Sequence, residues 1–274
     1  MQQVDTIVYV KDRTCQLDLL LRSIRDNFLN VGNVFVLYTY SNQEFKNGFD
    51  LIFNQSSKYK LQMIFVEQTN FKQNIIDILN QMSTPYFLGL CDDDVFIRQM
   101  DCSNELSILE RDDVSSLSIK TGLDVHMSFP NIDMGFPQFI EQHPCLLWNW
   151  RLMRPDITWG YPTCVNSYIF MKDYFLWLID QIEFHCPPYM EMGLNAIRKK
   201  FKTYMASLKQ LKLLNIVANR LQTLSPNAYA KTHKYEVDDL NYKFLNGFQI
   251  STNNLYDSAV TMANEERELI FEKQ

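Results

Sequence analysis

The stretch Tyr86-Phe-Leu-Gly-Leu-Cys91-Asp92-Asp93-Asp94-Val-Phe-Ile97 decides how the rest of the chain is read. Pro85 introduces an apolar run, Tyr86–Leu90, with the length and composition of a buried strand. Three carboxylates follow it directly, and a second apolar run begins at Val95. Solvated acidic runs are usually flanked by polar residues. This one is pinned between hydrophobic segments, where like charges at close range cost stability unless something neutralises them. A divalent cation with phosphate oxygens among its ligands would do so, because hard Mg²⁺ or Mn²⁺ takes one or two carboxylates plus substrate phosphate. A solvated acidic turn or a helix cap is the plainer alternative. The carboxyl end of a central strand is also where open α/β sheets bind ligands.

Upstream, strand and helix patterns alternate. Thr6–Val10, Val34–Tyr38 and Leu61–Val66 are short β-rich runs. Between the first two, Leu17, Leu20, Leu21, Ile24 and Phe28 recur at helical spacing, with Asp18, Arg22, Arg25 and Asp26 on the other face. Phe71, Ile75, Ile76, Leu79 and Met82 form a second amphipathic helix before Pro85. Strands alternating with helices predict crossover units on a mostly parallel sheet. Downstream the pattern is less regular. Asp101–Glu110 reads as helix, Val114–Ile119 and Val165–Met171 as strands, and Lys172–Ile182 as an aromatic helix. From Pro187 the chain reads as helical and basic, so we expect a core over 1–190 and a helical extension over 191–274 packed on it.

Composition narrows the function. The 274 residues are 46% hydrophobic and 14% aromatic, enough for a sizeable core, and the net charge of −6 gives no reason to expect a nucleic-acid binder. Only eight glycines occur, well under half the usual ~7%. None has the G-x-G-x-x-G or G-x-x-x-x-G-K spacing, so any nucleotide phosphates must be held another way. The six cysteines form no C-x-x-C pair, and neither H-E-x-x-H nor G-x-S-x-G is present. With no basic leader at Met1 and no apolar run near ~20 residues, free thiols in a reducing cytosol are the expectation.

An apolar strand ending in D-x-D, about ninety residues into an α/β half, resembles the GT-A glycosyltransferases, particularly family 2-like enzymes. That resemblance implies a Rossmann-like, mostly parallel sheet flanked by helices, and a Mn²⁺ or Mg²⁺ bridging carboxylates to the diphosphate of a nucleotide-sugar. It implies that Asp94 is the direct metal ligand, that Asp92 contacts the ribose or a metal-bound water, and that Asp93 lies between them. Val8-Tyr9-Val10-Lys11-Asp12-Arg13 is similar to the family's first strand and nucleotide-contacting turn, placing Lys11, Asp12 and Arg13 near base and ribose. An ordinary charged turn is the alternative. Where members often have an Asp after the second strand, this chain has Tyr38-Thr-Tyr-Ser41-Asn42.

An inverting enzyme needs a carboxylate base on the acceptor hydroxyl. The family usually supplies it from a Glu-Asp pair opening a helix, with an arginine seven positions beyond the Glu. Glu191, in Pro188-Tyr189-Met190-Glu191, has Arg198 at that spacing, but Met192 replaces the Asp. Either Glu191 is the base, or Asp133 or Asp156 is, or Glu191 is a first-turn acid favoured by the helix dipole. Some members take a third metal ligand from a C-terminal segment. His233, in Lys231-Thr-His233-Lys234, is the candidate, with a surface histidine as the alternative. Trp148, Trp150, Trp159 and Tyr161 are either acceptor platforms or core, and Arg151 and Arg154 could meet an anionic acceptor.

The resemblance therefore implies a non-processive transferase, since Q-x-x-R-W is missing, moving one sugar to a glycan or lipid-linked acceptor. A sugar-phosphate nucleotidyltransferase and a non-catalytic glycan-binding scaffold are the competing readings. Between Met192 and Tyr235 lie nine Lys or Arg and no acid, leaving 17 positives against 32 negatives elsewhere. That basic segment could face the diphosphate, an anionic acceptor or a membrane surface, or simply be a solvated face.

Overall fold

In the computed structural model, residues 2–128, 132–219, 221 and 232–274 are described. Its first third is built from parallel crossover units. Strand β1 (Val4–Lys11) leads into helix α1 (Thr14–Asn27), β2 (Val31–Thr39) into α2 (Gln43–Asn54), and β3 (Gln62–Glu67) into α3 (Phe71–Gln81). Strand β4 (Tyr86–Cys91) follows, then the short β5 (Asp94–Phe96). Side-chain caps set two of the helix starts. Asn42 accepts the Phe45 N–H at 3.1 Å, and Asn70 accepts the Gln73 N–H at 3.2 Å. The sequence pattern did not reveal α2, although Phe45, Phe49 and Ile52 bury one face of it.

Nine strands form the central sheet, in the order β3-β2-β1-β4-β11-β6-β12-β10-β9. Its second half comprises β6 (Val114–Ser118), β9 (Phe139–Glu141), β10 (Leu146–Asn149), β11 (Tyr168–Met171) and β12 (Tyr204–Ser207). The first four strands are mutually parallel, as are β6 and β12. Only β11 and β10 run against the common direction. Strands β7 (Met127–Ser128) and β8 (Ile132–Asp133) pair apart from the sheet. Helices α4 (Lys172–Ile179) and α5 (Pro187–Ala196) follow β11, and β13 (Leu213–Ile216) pairs with β5. The chain closes with α6 (Val237–Leu245), β14 (Phe248–Ile250), β15 (Asn264–Glu265) and β16 (Phe271–Lys273).

The expected α/β architecture is present, but two local expectations are corrected. Only Leu106–Glu110 of the segment 101–110 is helical, as a 3-10 turn. The segment read as a helical extension contributes β12 to the middle of the sheet and β13 to a second one, so 191–274 does not stand apart from 1–190. Four-residue apolar runs such as Leu213–Ile216 cannot be told from buried helix by periodicity alone. On the polar face of α1, Arg25 is exposed, but Asp18 and Arg22 are not. Asp18 is fully buried, bonded to Tyr59 at 2.7 Å and paired with Arg22 at 2.9 Å, and Arg22 reaches the Ile250 carbonyl at 2.7 Å. Strand β14 and helix α6 cover that face.

Trp148, Trp150 and Trp159 are core. Trp148 and Trp159 are fully buried in an edge-to-face pair at 4.8 Å, with the Trp148 indole N–H donated to the Trp159 carbonyl at 2.8 Å. Trp150 is 2% exposed, and its indole N–H bonds the Lys202 carbonyl. No helix among the described residues is long and apolar enough to cross a membrane.

One close approach fixes the site's geometry. Gly89, in β4, lies against the backbone of Val165, where any Cβ would run into the carbonyl oxygen. We expect Gly89→Ala to lower stability by about 1–3 kcal/mol through this overpacking, read as a fall in the urea midpoint at unchanged slope.

Candidate active site

Tyr9 and Cys91 are in register between β1 and β4, so the turn after β1 and the acidic triplet after β4 emerge side by side. Asp12 adopts a left-handed φ of 59°, which Asp tolerates better than most residues. Its carboxylate does not point outward. It accepts both the Ser41 N–H and the Ser41 hydroxyl at 2.6 Å, tying the β1 turn to the β2 turn. Lys11 is exposed, and its N–H lies 3.4 Å from Asp92 Oδ2.

Arg13 is the hub of the cluster. One Nη1 donates to Asp92 Oδ1 at 2.9 Å and to Asp93 Oδ2 at 3.2 Å, while Nη2 donates to the Asn219 carbonyl at 2.9 Å. The three carboxylates differ in environment. Asp94 is fully buried, and its oxygens accept from the Cys91 N–H at 2.8 Å and the Asn166 and Asn215 amides at 3.0–3.2 Å. Asn215 is opposite Asp94 in the β5–β13 register, and also donates to Asp93 Oδ1 at 2.7 Å. Asp93 keeps the most open side chain of the Arg13-bound pair, 20% exposed against 7% for Asp92. Burial raises the Asp92 pKa to about 6; Arg13 pulls it down and Asp93 adds to it. Burial and then the Asp93 charge push Asp94 to about 7, against its three hydrogen-bond donors.

Glu191 reaches the same end of the sheet from α5. It is the fifth residue of that helix, whose first turn holds no acid, so the dipole-capping alternative does not describe it. Burial raises its pKa, while the Tyr161 hydroxyl, the Lys120 charge and the Val165 N–H act in the opposite direction. Lys120 is 9% exposed and donates to Cys164 Sγ at 2.8 Å; Cys164 lies 3.0 Å from Asn166 Oδ1, and Asn166 bonds Asp94. A continuous polar chain thus runs from the acidic triplet to the ammonium group that Glu191 senses. Arg198 bonds the Gly160 carbonyl at 3.4 Å, next to Tyr161.

The other sequence candidates lie elsewhere. Met192 is 60% exposed. Asp133 is exposed and turned onto the Gly135 N–H, and Asp156 is exposed and paired with Arg154. Neither joins the network. His233 is half-buried, and Lys231 and Arg220 fall outside the described residues. Among the described residues, no three His, Cys, Asp or Glu side chains are arranged to hold a metal ion, so Asp92, Asp94 and His233 are not brought together as a ligand set. The donors present fit instead a hard cation taking one or two carboxylates, Asp93 foremost, and its remaining ligands from phosphate. Asn166, Asn215, Lys120 and Cys164 escaped the sequence reading because the contacts that tie them to Asp94 and to one another across the site, Asn166–Asp94, Asn215–Asp94 and Lys120–Cys164, span more than 40 positions.

Comparison with solved structures gives the fold. Residues 1–349 of S. aureus TarS match with a TM-score of 0.50 at 12% identity, over 76% of this chain and 58% of that one. The same fragment in complex with UDP gives 0.49 at 13% identity over the same shares. The mannosyltransferase PcManGT from Pyrobaculum calidifontis, in complex with GDP-Man and Mn²⁺, gives 0.36 at 14%, over 44% and 36%. The chain spans somewhat over half the length of the TarS fragment, and at this identity the likeness is one of fold: the architecture is GT-A. No family model and no curated protein matches the sequence.

Removing the buried partner should be costly. We expect Arg13→Met to destabilise the protein at pH 8 by about 3–5 kcal/mol. Because the folded Asp92 pKa lies above its unfolded value, folding takes up a proton between them, and stability rises as pH falls. The deficit of the variant should therefore shrink at pH 5, as measured by denaturant titration at the two pH values.

Proposed function

We propose that this GT-A chain is a glycosyltransferase that moves one sugar from a nucleotide-diphosphate sugar to a hydroxyl group of a glycan or lipid-linked acceptor, with inversion. The observation that carries the reading is the convergence of Arg13, Asp92–Asp94 and Glu191 at the carboxyl end of β4 and its neighbours, joined through Asn166, Cys164 and Lys120. This is the end of an open sheet at which ligands bind.

In this reading the two carboxylate groups have separate tasks. A Mn²⁺ or Mg²⁺ bound at Asp93, with Asp92 behind it, would supply positive charge to the departing diphosphate. Arg13 holds Asp92 and Asp93 in one orientation, and Lys11, exposed beside them, offers a further cation to the nucleotide. Asp94 is a positioning group: it ties the triplet to β13 and to the loop before β11. Glu191 is the base. Its raised pKa makes it a better proton acceptor than an exposed glutamate, while Lys120 and the Tyr161 hydroxyl keep its charged form accessible. No acid follows β2 directly in sequence; the carboxylates beside that turn are Asp12, bonded to Ser41, and Glu67, bonded to Tyr38 and Tyr40.

Calorimetric titration with UDP, GDP and dTDP tests the donor side. One nucleoside diphosphate should bind only with Mn²⁺ or Mg²⁺ present, and Asp93→Ala should weaken it at least tenfold; metal-independent binding would sink this assignment. Release of pyrophosphate from a nucleoside triphosphate would mark a nucleotidyltransferase instead.

Glu191→Gln should lower kcat about 10²–10⁴-fold with nucleotide affinity unchanged. Since the base acts deprotonated, the wild-type rate should rise with pH through the raised Glu191 pKa. That limb should be missing from the pH–rate profile of Glu191→Gln.

A further inference from the structure

The basic segment does not end up at the diphosphate site as a whole. Arg198–Lys200 forms a single 3-10 turn directly after α5, and both Lys199 and Lys200 are exposed. Arg151 donates to the carbonyls of Lys199 and Phe201, at 3.2 and 2.7 Å, which sets the exposed residues Arg151 and Leu152 beside that turn. On its other side Lys200 bonds the Gln181 side-chain oxygen, and Gln181 bonds the Trp177 carbonyl at 2.8 Å. The turn is therefore flanked by two exposed apolar side chains. Leu152 is 79% exposed and Trp177, on α4, 50% exposed.

Among the described residues, no carboxylate pairs with Arg151, Arg198, Lys199 or Lys200. Arg151, Arg198 and Lys200 bond carbonyl and amide oxygens, and Arg151 and Arg198 both lie over the Trp150 ring, at 5.5 and 5.2 Å. Such a face is complementary to a surface that is anionic and also apolar just beneath. A soluble polyanion would satisfy the cations but leave Leu152 and Trp177 in water. Interfacial binding rewards both kinds of residue, because cations meet headgroup phosphates while an indole sits at the boundary of the acyl region.

We infer that the face formed by Arg151, Leu152, Trp177 and Arg198–Lys200 docks the protein onto an anionic lipid bilayer. It lies at the far end of α5, the helix that carries Glu191. Docking there would bring the site to substrates held at a membrane. The inference does not depend on the transfer reaction, because vesicle binding is measured without donor or acceptor.

Co-sedimentation of the full chain tests it, with vesicles of phosphatidylcholine alone and of phosphatidylcholine mixed with phosphatidylglycerol. Binding should require phosphatidylglycerol and weaken as salt is raised. The double variant Lys199→Glu/Lys200→Glu should bind about 30-fold or more weakly. Leu152→Ser/Trp177→Ser should lose about tenfold or more, with thermal melting confirming that both variants stay folded. Equal binding to the two vesicle types, or none, overturns the inference. So does binding untouched by the Leu152/Trp177 variant, which would reduce the contact to charge alone.

Discussion

A strand that ends in three successive carboxylates must find compensating charge before it can be buried, and in this chain Arg13 supplies it. The guanidinium bridges Asp92 and Asp93 and bonds the Asn219 carbonyl, so one side chain joins the β1 turn, the β4 end and the segment after β13. Asp94 is handled differently, by amide and backbone donors alone. Removing charges from water costs several kcal/mol per ion unless good geometry repays it. The elements around the triplet are therefore placed by that requirement: β13 brings Asn215, and the loop before β11 brings Asn166.

The first half of the fold was legible because its signals are local. Buried parallel strands read as apolar runs, amphipathic helices announce themselves at 3.6-residue spacing, and β1, α1, β2, β3, α3 and β4 all fall where those patterns put them. The second half depends on partners distant in sequence. Strand β12 is four residues long and gains its identity from pairing with β6 and β10. The burial of Asp18 and Arg22 is not legible in the sequence, because nothing nearby shows that α6 and β14 will cover them. The same distinction holds at the site. The acidic triplet, Arg13 and Glu191 could be picked out from sequence. Asn215 could not, since only the β5–β13 register places it against Asp94, and His233 is the opposite case, a plausible residue type that joins no metal-holding group among the described residues.

The scarcity of glycine acquires a structural counterpart in the acidic cluster. Phosphate-binding loops use glycine to let backbone N–H groups approach an anion. At this site the backbone N–H of Cys91 already faces a carboxylate of its own chain, and the positive charge comes from a side chain. Gly89 serves another purpose, admitting the Val165 backbone to the surface of β4 so that Cys164 and Asn166 reach the network.

The strand order also bears on how the chain is assembled during synthesis. Strand β6 leaves the ribosome well before either neighbour: β11 begins at Tyr168 and β12 at Tyr204. Until both arrive, β6 and β10 carry open edges that can pair with other chains. The parallel block β3-β2-β1-β4 meets no such delay, because its strands lie within the first 91 residues. Nascent chains halted between β10 and β12 would therefore carry a finished parallel block beside unpaired strands. That interval is the one in which holdase chaperones would have most to protect.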